Sequence, residues 1–171
     1  SILLGAANLL FTVVSIMLLD KLGRRPLYFI GMVGMIVGLC GVGLSFFFED
    51  SLGDSLAYFT VASMFIYIIF FAVSLGPLGW LIISEVFPLK IRGVGMSIGS
   101  LSNWLFNGIV AFTFLTLVNA LSAAGAFWLY AAIGVLAIFW GNKFIPETKG
   151  ITLEKIEDHW REGKKPRELN K

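Results

Sequence analysis

The chain has 171 residues, of which 57% are hydrophobic and 14% are charged, with a mean hydropathy of +0.86 and a net charge of +2. Soluble domains carry about 25% charged residues, so this chain has too little polar surface to fold as one and falls in the membrane class. Its single cysteine, Cys40, excludes an internal disulfide or a cysteine-based metal site, and we expect a small packed side chain there.

Five apolar segments are each long enough to cross the hydrocarbon core as a helix, which takes about 20 residues. They are about twice the length of a transmembrane β-strand and show no sustained in–out alternation, which favours helices. The predicted fold class is therefore all-α, a polytopic transmembrane helical bundle. The segments cover approximately residues 2–19, 27–48, 57–84, 94–118 and 126–145, and a tail follows over 146–171.

The connectors between these segments alternate in charge. Residues 20–26 and 85–93 contain Lys and Arg, residues 49–56 contain three acids and no base, and residues 119–125 are uncharged. The remaining Lys and Arg lie at the C-terminal end. With five spans all the basic regions share one side, which the positive-inside rule makes cytoplasmic. The predicted topology has the N-terminus outside and the tail inside.

The third segment is interrupted by GPLG at residues 76–79, followed at once by Trp80. Gly and Pro inside a hydrophobic span are typical of transporter helices whose backbone opens towards a cavity. We interpret this stretch as a broken helix. The flat face of Trp80 suits the C–H face of a sugar ring, although on its own the residue favours packing or an interfacial position.

Small residues and the tail give two further patterns. Gly34 and Gly38 form one GxxxG pair, and Gly95 and Gly99 form another, a spacing that permits close helix contact but is common by chance. In the tail, apolar residues recur at helical spacing among charges, which predicts a short amphipathic helix on the inner surface. This stripe is Leu153, Ile156 and Trp160, and the adjacent His159 is expected to be solvated.

The sequence contains no catalytic constellation. It has no nucleophile motif, no phosphate-binding Gly loop and no cluster of His or Cys, and no charged residue lies well inside a predicted span. We therefore expect no enzyme, no metal and no cofactor. Proton and ion relays in membranes need such residues, so we expect any coupling group to lie in another part of the protein.

The polar side chains inside the spans are neutral amides. Asn103 and Asn107 share one helix face because they are four residues apart, Trp104 is adjacent, and Asn8 lies in the first segment. An amide both donates and accepts hydrogen bonds, which suits a small neutral polyol. Hydrogen bonding between helices is the alternative role, and the spacing alone favours neither.

Charged residues cluster where the predicted helices meet the inner face. One interpretation is a set of ion pairs that form in one conformation and break in another. The alternative is ordinary charge at the membrane edge, which contributes little energy. The residues are Asp20, Arg24, Arg25, Glu85 and Arg92.

Three motifs carry a family resemblance. DKLGRR at 20–25 resembles a cytoplasmic loop motif of the major facilitator superfamily. GPLGW at 76–80 with SEVFPLKIRG at 84–93 resembles the tenth helix and following loop of its sugar porter family, and PETKG at 146–150 resembles that family's signature after the twelfth helix. The chain is thus similar to helices eight to twelve of a twelve-helix major facilitator sugar transporter. Since it opens without an initiator Met, we expect a fragment.

The resemblance implies roles for the matching positions. Substrate contacts are implied for Asn8, Phe71, Gly76, Trp80, Asn103, Trp104 and Asn107. Conformational ion pairs on the inner side are implied for Asp20, Arg24, Arg25, Glu85, Arg92 and Glu147.

The predicted function is transport of a monosaccharide or polyol by alternating access, with proton-coupled symport of a hexose or pentose as the main hypothesis. Val73 stands beside the position where some facilitative family members carry Glu, which favours a symporter. Uncoupled facilitated diffusion and a non-transporting sugar receptor are the alternatives. Expected partners are a small neutral sugar or polyol, the lipid bilayer and an N-terminal six-helix half, without nucleic acid. The expected location is a plasma or bacterial inner membrane, with the C-terminus cytoplasmic.

Overall fold

The computed structural model describes residues 2–88 and 90–169, without the side chains of residues 2–4, 6–8, 16, 20 and 167. The described residues contain no β-strand, which confirms the all-α fold class. Short 3₁₀ turns lie at Gly53–Ser55 and Pro166–Glu168. The α-helices of the described part are α1 (Ile2–Leu22), α2 (Arg24–Phe47), α3 (Glu49–Leu52), α4 (Leu56–Val73), α5 (Leu75–Val86), α6 (Arg92–Phe144) and α7 (Leu153–Arg161).

Helices α1 and α2 are separated by a single residue. The sequence predicts a connector over 20–26, but the structure extends both helices until only Gly23 remains between them. Gly23 has φ of 93°, a left-handed conformation that glycine adopts without a Cβ clash, so one residue is enough to redirect the chain. Lys21 in the last turn of α1 suits the negative end of that helix.

The structure has three apolar helical stretches long enough to cross a membrane among its described residues: Arg24–Phe47, Glu49–Val86 and Arg92–Phe144. The last has 53 residues, about 80 Å if straight, far more than a hydrocarbon core of about 30 Å. Its helical geometry is interrupted at Ser122, with φ of 71° and ψ of 167°. The rings of Phe114 and Tyr130 lie 6.4 Å apart, so the chain folds back at Ser122 into two arms, residues 92–121 and 123–144. The five-span count stays a prediction. It is compatible with the structure because a fold-back such as the one at Ser122 divides one long helical stretch into two spans.

Glycines bring α2 into close contact with α4. A Cβ at Gly38 would lie 2.9 Å from the Cα of Tyr67, so only glycine fits between these two backbones. Gly34 of the predicted GxxxG pair lies against the ring of Phe70 in the same way, and the other pair, Gly95 and Gly99, lies against the segment that ends α5. The glycines of α2 that face α4 or Ser74, the residue after α4, are Gly31, Gly34, Gly38 and Gly41.

The opposite side of α2 packs on the second arm of α6. The hydroxyl of Tyr28 donates to the carbonyl of Ala137 at 2.7 Å, and a Cβ at Gly141 would overlap the Tyr28 ring. The buried core is concentrated at the end of the bundle that carries the predicted inner face, where α1, α2, α5 and the end of α6 meet. Its members are Leu19, Leu27, Tyr28, Met32, Met35, Leu78 and Ile145.

Candidate functional site

The broken helix is interrupted at Ser74, two residues before the predicted Gly76–Pro77. Ser74 has φ of −120° and ψ of −92°, and it separates α4 from α5. Proline has no backbone N–H and its ring excludes a helical carbonyl four residues earlier, so the distortion appears in the turn that precedes Pro77. Pro77 itself lies in the first turn of α5, and its missing N–H removes the hydrogen bond that a continuous helix would make to the carbonyl of Val73. Pro77 therefore causes the break, and the break lies three residues before the proline, at Ser74.

Three predicted substrate contacts flank this break. Phe71 is in the last turn of α4, and a Cβ at Gly76 would lie 3.3 Å from the Phe71 carbonyl oxygen, so these two residues are brought together. Trp80 follows on α5 with 43% of its surface exposed. The tryptophan is thus held on a short helix of 12 residues rather than on a loop.

The two amides of the first arm of α6 hydrogen-bond to each other. The Nδ2 of Asn107 donates to the Oδ1 of Asn103 at 3.1 Å and to its backbone oxygen at 2.9 Å. This leaves the Asn103 amino group and the Asn107 amide oxygen as a donor and an acceptor for another molecule. Trp104 beside them is 72% exposed. The side chain of Asn8 lies outside the described residues.

Some of the predicted substrate contacts line cavities in the described part of the chain. Phe71 lines an apolar one of about 700 Å³ between α2, α4 and α6. Asn103 and Asn107 line a more open one of about 340 Å³, and Val110 borders both. Trp80 and Trp104 line neither, so the structure does not gather all the predicted contacts into one pocket.

At the inner end of the bundle, Glu85 receives hydrogen bonds from two other elements. Its Oε1 pairs with the Nη2 of Arg24 at 2.7 Å and its Oε2 accepts from the Arg24 Nε at 3.3 Å, a bidentate arrangement. The hydroxyl of Thr148 donates to the same Oε2 at 2.5 Å. The two charged side chains are 14% and 17% exposed, which screens this pair from water more than an ordinary surface ion pair.

Glu147 caps the N-terminus of α2. Its two carboxylate oxygens accept from the backbone N–H groups of Arg24 and Arg25, each at 3.0 Å. The preceding Gly23 has no side chain to cap the helix, and a Cβ there would lie 2.7 Å from the Glu147 carboxylate. A negative charge at this position also suits the positive end of the helix. Glu147 thus contacts backbone rather than an arginine side chain.

The remaining members of the predicted ion-pair set are arranged differently. Arg25 donates to the side-chain oxygen of Asn142 at 2.8 Å and lies over the ring of Phe29, 5.8 Å from its centroid. Arg92 lines a small cavity with Glu85, but its buried Nε has no hydrogen-bond partner within the described part of the chain. The side chain of Asp20 lies outside the described residues. Sequence reasoning missed Thr148 and Asn142, although Thr148 stands inside the PETKG motif.

Helix α7 lies where the sequence places a short amphipathic helix. Ile156 is 2% exposed, and α7 packs against the end of α5. The expectation that His159 is solvated is wrong, because it is buried and its Nε2 lies 2.9 Å from the carbonyl oxygen of Lys165. Hydrogen bonds from its own backbone N–H and from the Thr152 hydroxyl lower the pKa of Glu154 in the first turn.

Comparison with known proteins identifies the family. The profile described as sugar (and other) transporter matches residues 1–160. The chain belongs to this sugar transporter family. Glu85, Arg24 and Glu147 come from three distant parts of the sequence and meet at one end of the bundle.

Within the sugar transporter family, a D-xylose-proton symporter of Escherichia coli K12 is 39% identical over 166 residues, which are 94% of this chain and 33% of that protein. A galactose-proton symporter of the same organism is 39% identical over 169 residues, 99% of this chain and 36% of that protein. The chain therefore spans about a third of the length of these curated relatives.

The solved structures agree with this family. The proton:xylose symporter XylE bound to 6-bromo-6-deoxy-D-glucose matches with a TM-score of 0.83 at 39% identity, covering 93% of this chain and 34% of that one. An inward-open structure of XylE from E. coli matches with a TM-score of 0.81. The described part of the chain therefore has the fold of the matching third of a major facilitator superfamily transporter.

Proposed function

We propose that this chain forms helices eight to twelve of a transporter that moves a monosaccharide or polyol across a membrane by alternating access, coupled to protons. The matching relatives are named as proton symporters of D-xylose and galactose. Since the chain spans about a third of their length, the activity belongs to the whole protein, and an N-terminal half supplies the opposite wall of the sugar site.

The observation that carries this proposal is the position of Trp80 and Glu85 on one short helix. Both lie on α5, five residues and therefore about 7.5 Å apart along the axis. One end of α5 follows the break at Ser74, and the other end is held by Arg24 and Thr148. Loss of the Glu85 contacts would free α5 to pivot at the break and carry Trp80 with it. The ion pair and the sugar contact are thus mechanically linked.

The sugar would be held by groups of two chemical kinds. Trp80 and Phe71, both more than a third exposed, offer apolar faces to the ring C–H groups. The free donor and acceptor of the Asn103–Asn107 pair offer hydrogen bonds to hydroxyls, and Asn8 is proposed as a further amide. No charged side chain is required because the ligand is neutral.

The protein would lie in a plasma or bacterial inner membrane. The basic residues at 21–25, 90–92 and 143–171 fall on one side of a five-span topology, which the positive-inside rule makes the cytoplasm. The C-terminal helix α7 and the Glu85 contacts would then both lie on the cytoplasmic face. In this placement the Arg24–Glu85 ion pair would hold α5 in place on the cytoplasmic side of the sugar site.

Uptake of a panel of labelled sugars tests the function directly. The full-length protein is expressed in cells that lack their own sugar carriers, with and without a protonophore. We expect accumulation against a gradient that collapses when the protonophore is added. Uptake that only equilibrates would support facilitated diffusion, the activity named for a trehalose transporter of Bombyx mori that is 37% identical. Sugar binding without uptake would support a receptor.

The Trp80→Ala variant tests the proposed sugar contact. We expect its apparent affinity for the sugar to fall about tenfold, since an aromatic contact of this size contributes on the order of 1.4 kcal/mol. Trp140→Ala is the matched control, because Trp140 is also exposed but packs on Phe144 near the end of α6. Equal uptake kinetics for wild type and Trp80→Ala would remove Trp80 from the site.

A further inference from the structure

The break at Ser74 lies in a buried contact between three helices. Ser15 of α1 and Ser74 are both 0% exposed. On the other side, the Cα of Gly31 in α2 approaches Ser74 so closely that any Cβ would overlap its hydroxyl. The bend in the α4–α5 helix is therefore enclosed by α1 and α2 rather than open to lipid.

One backbone group at this break lacks its helical partner. In a continuous helix the carbonyl of Val73 would accept from the N–H of residue 77, but that residue is Pro77 and has no N–H. The neighbouring groups are satisfied locally: the N–H of Ser74 donates to the Phe70 oxygen, and the Ser74 oxygen accepts from Leu78 at 3.0 Å. The Val73 carbonyl needs a partner from another helix, because an unpaired carbonyl is costly in the membrane.

The hydroxyl of Ser15 supplies that partner. Its Oγ donates to the Val73 oxygen at 2.6 Å across 58 residues of sequence. Four other serines, in the helices or at a helix end, donate to a carbonyl three or four residues earlier in the same stretch, which is the usual behaviour of serine in an apolar helix. These are Ser45, Ser74, Ser84 and Ser97.

We propose that Ser15 is a positioning residue for the broken helix. Its hydroxyl anchors the last carbonyl before the bend to α1, so the point about which α5 can pivot is fixed relative to α1. The positions of Trp80 and Glu85 depend on that point because both residues lie on α5. The expected effect on sugar binding rests on the proposed transport function. The hydrogen bond from Ser15 and its dependence on Pro77 do not rest on that function.

The first experiment compares Ser15→Ala with Ser45→Ala in the full-length protein. Both serines are buried, but the Ser45 hydroxyl bonds only to Gly41 of its own helix. We expect Ser15→Ala to weaken sugar binding about threefold to tenfold, the range for a lost interhelical hydrogen bond that leaves a buried carbonyl unpaired. Ser45→Ala should change it less than twofold.

A double-mutant cycle with Pro77→Ala then distinguishes positioning from packing. The Pro77→Ala substitution would bring back the N–H that bonds the Val73 carbonyl, so Ser15→Ala should cost less than twofold in that background. A residue that merely fills space would show the same cost with proline or with alanine at that position. The unfolding temperature of the purified protein is measured for all four proteins as well, which needs no sugar.

A reporter cysteine follows the orientation of α5. In a background without other cysteines, Ser84→Cys is labelled with a thiol reagent with and without Ser15→Ala. We expect a labelling rate altered at least threefold by Ser15→Ala and unaltered by Ser45→Ala. Unchanged labelling, or a full Ser15→Ala effect on unfolding temperature in the Pro77→Ala background, would overturn the proposal. If the wild-type protein takes up no sugar, the transport function is contradicted. The labelling rate and the unfolding temperature would still test the role of Ser15 in that case.

Discussion

Glu147 acts as an N-cap for a helix that lies more than 120 residues before it. Caps usually come from the residue next to the helix, but Gly23 holds that position because the turn needs a positive φ. The carboxylate of Glu147 accepts the first N–H groups of α2 instead. It thereby ties the end of α6 to the start of α2, which also carries Arg24.

Removal of this cap should destabilise the protein. We expect Glu147→Ala to lower the free energy of unfolding by about 1 kcal/mol, because two backbone N–H groups lose their acceptor. Glu147→Gln should lose less, since its amide oxygen still accepts one of them. Denaturation of the purified protein in detergent measures both. Glu162→Ala, which removes an exposed carboxylate paired with Lys164, is the control and should leave the midpoint unchanged.

At the scale of the helices, the glycine face of α2 sets how closely α4 can approach. Without a hydrophobic driving force between helices in lipid, dispersion contacts at short range hold them together. The close approach also places the break at Ser74 against Gly31, so the packing of α2 determines where the bend is enclosed. A wider spacing would move α5 and the residues that it carries.

The glycine contact gives a matched pair of substitutions. Gly38→Ala should destabilise the protein by about 1–3 kcal/mol, because its Cβ would lie under 3.0 Å from backbone atoms of Tyr67 that cannot rotate away. Gly108→Ala, also inside a helix, meets nothing within 4 Å in the described structure and should be neutral or slightly stabilising. Thermal unfolding measures both, and equal midpoints for the two variants would contradict the close α2–α4 contact.

For the whole molecule, the predicted topology places the α2–α4 connection and α7 on opposite sides of the membrane. Asp54 lies in the turn between α3 and α4, and Lys164 follows α7. Both residues are exposed, so a reagent can reach either position from its own side. The positive-inside rule assigns the side of Lys164 to the cytoplasm.

Cysteine labelling in intact cells tests this orientation. Asp54→Cys should react with a membrane-impermeant thiol reagent without permeabilisation, while Lys164→Cys should react only after the membrane is opened. If both cysteine variants are labelled in intact cells, residues 54 and 164 lie on the same side, which would contradict an odd number of spans between the two positions. Labelling of Lys164→Cys alone would reverse the orientation and place Arg24 and Glu85 outside.

The sequence by itself determined the fold class, the family and the presence of a break near Pro77. Span length and hydropathy are properties of consecutive residues, and the effect of proline on a helix is confined to the preceding turn. The tertiary structure alone decided that Ser15 bonds the Val73 carbonyl, that Glu147 caps backbone, and that Thr148 joins Glu85. It also buried His159. These contacts join helices that are distant in sequence, and their partners are chosen by helix packing, which no local pattern of residues encodes.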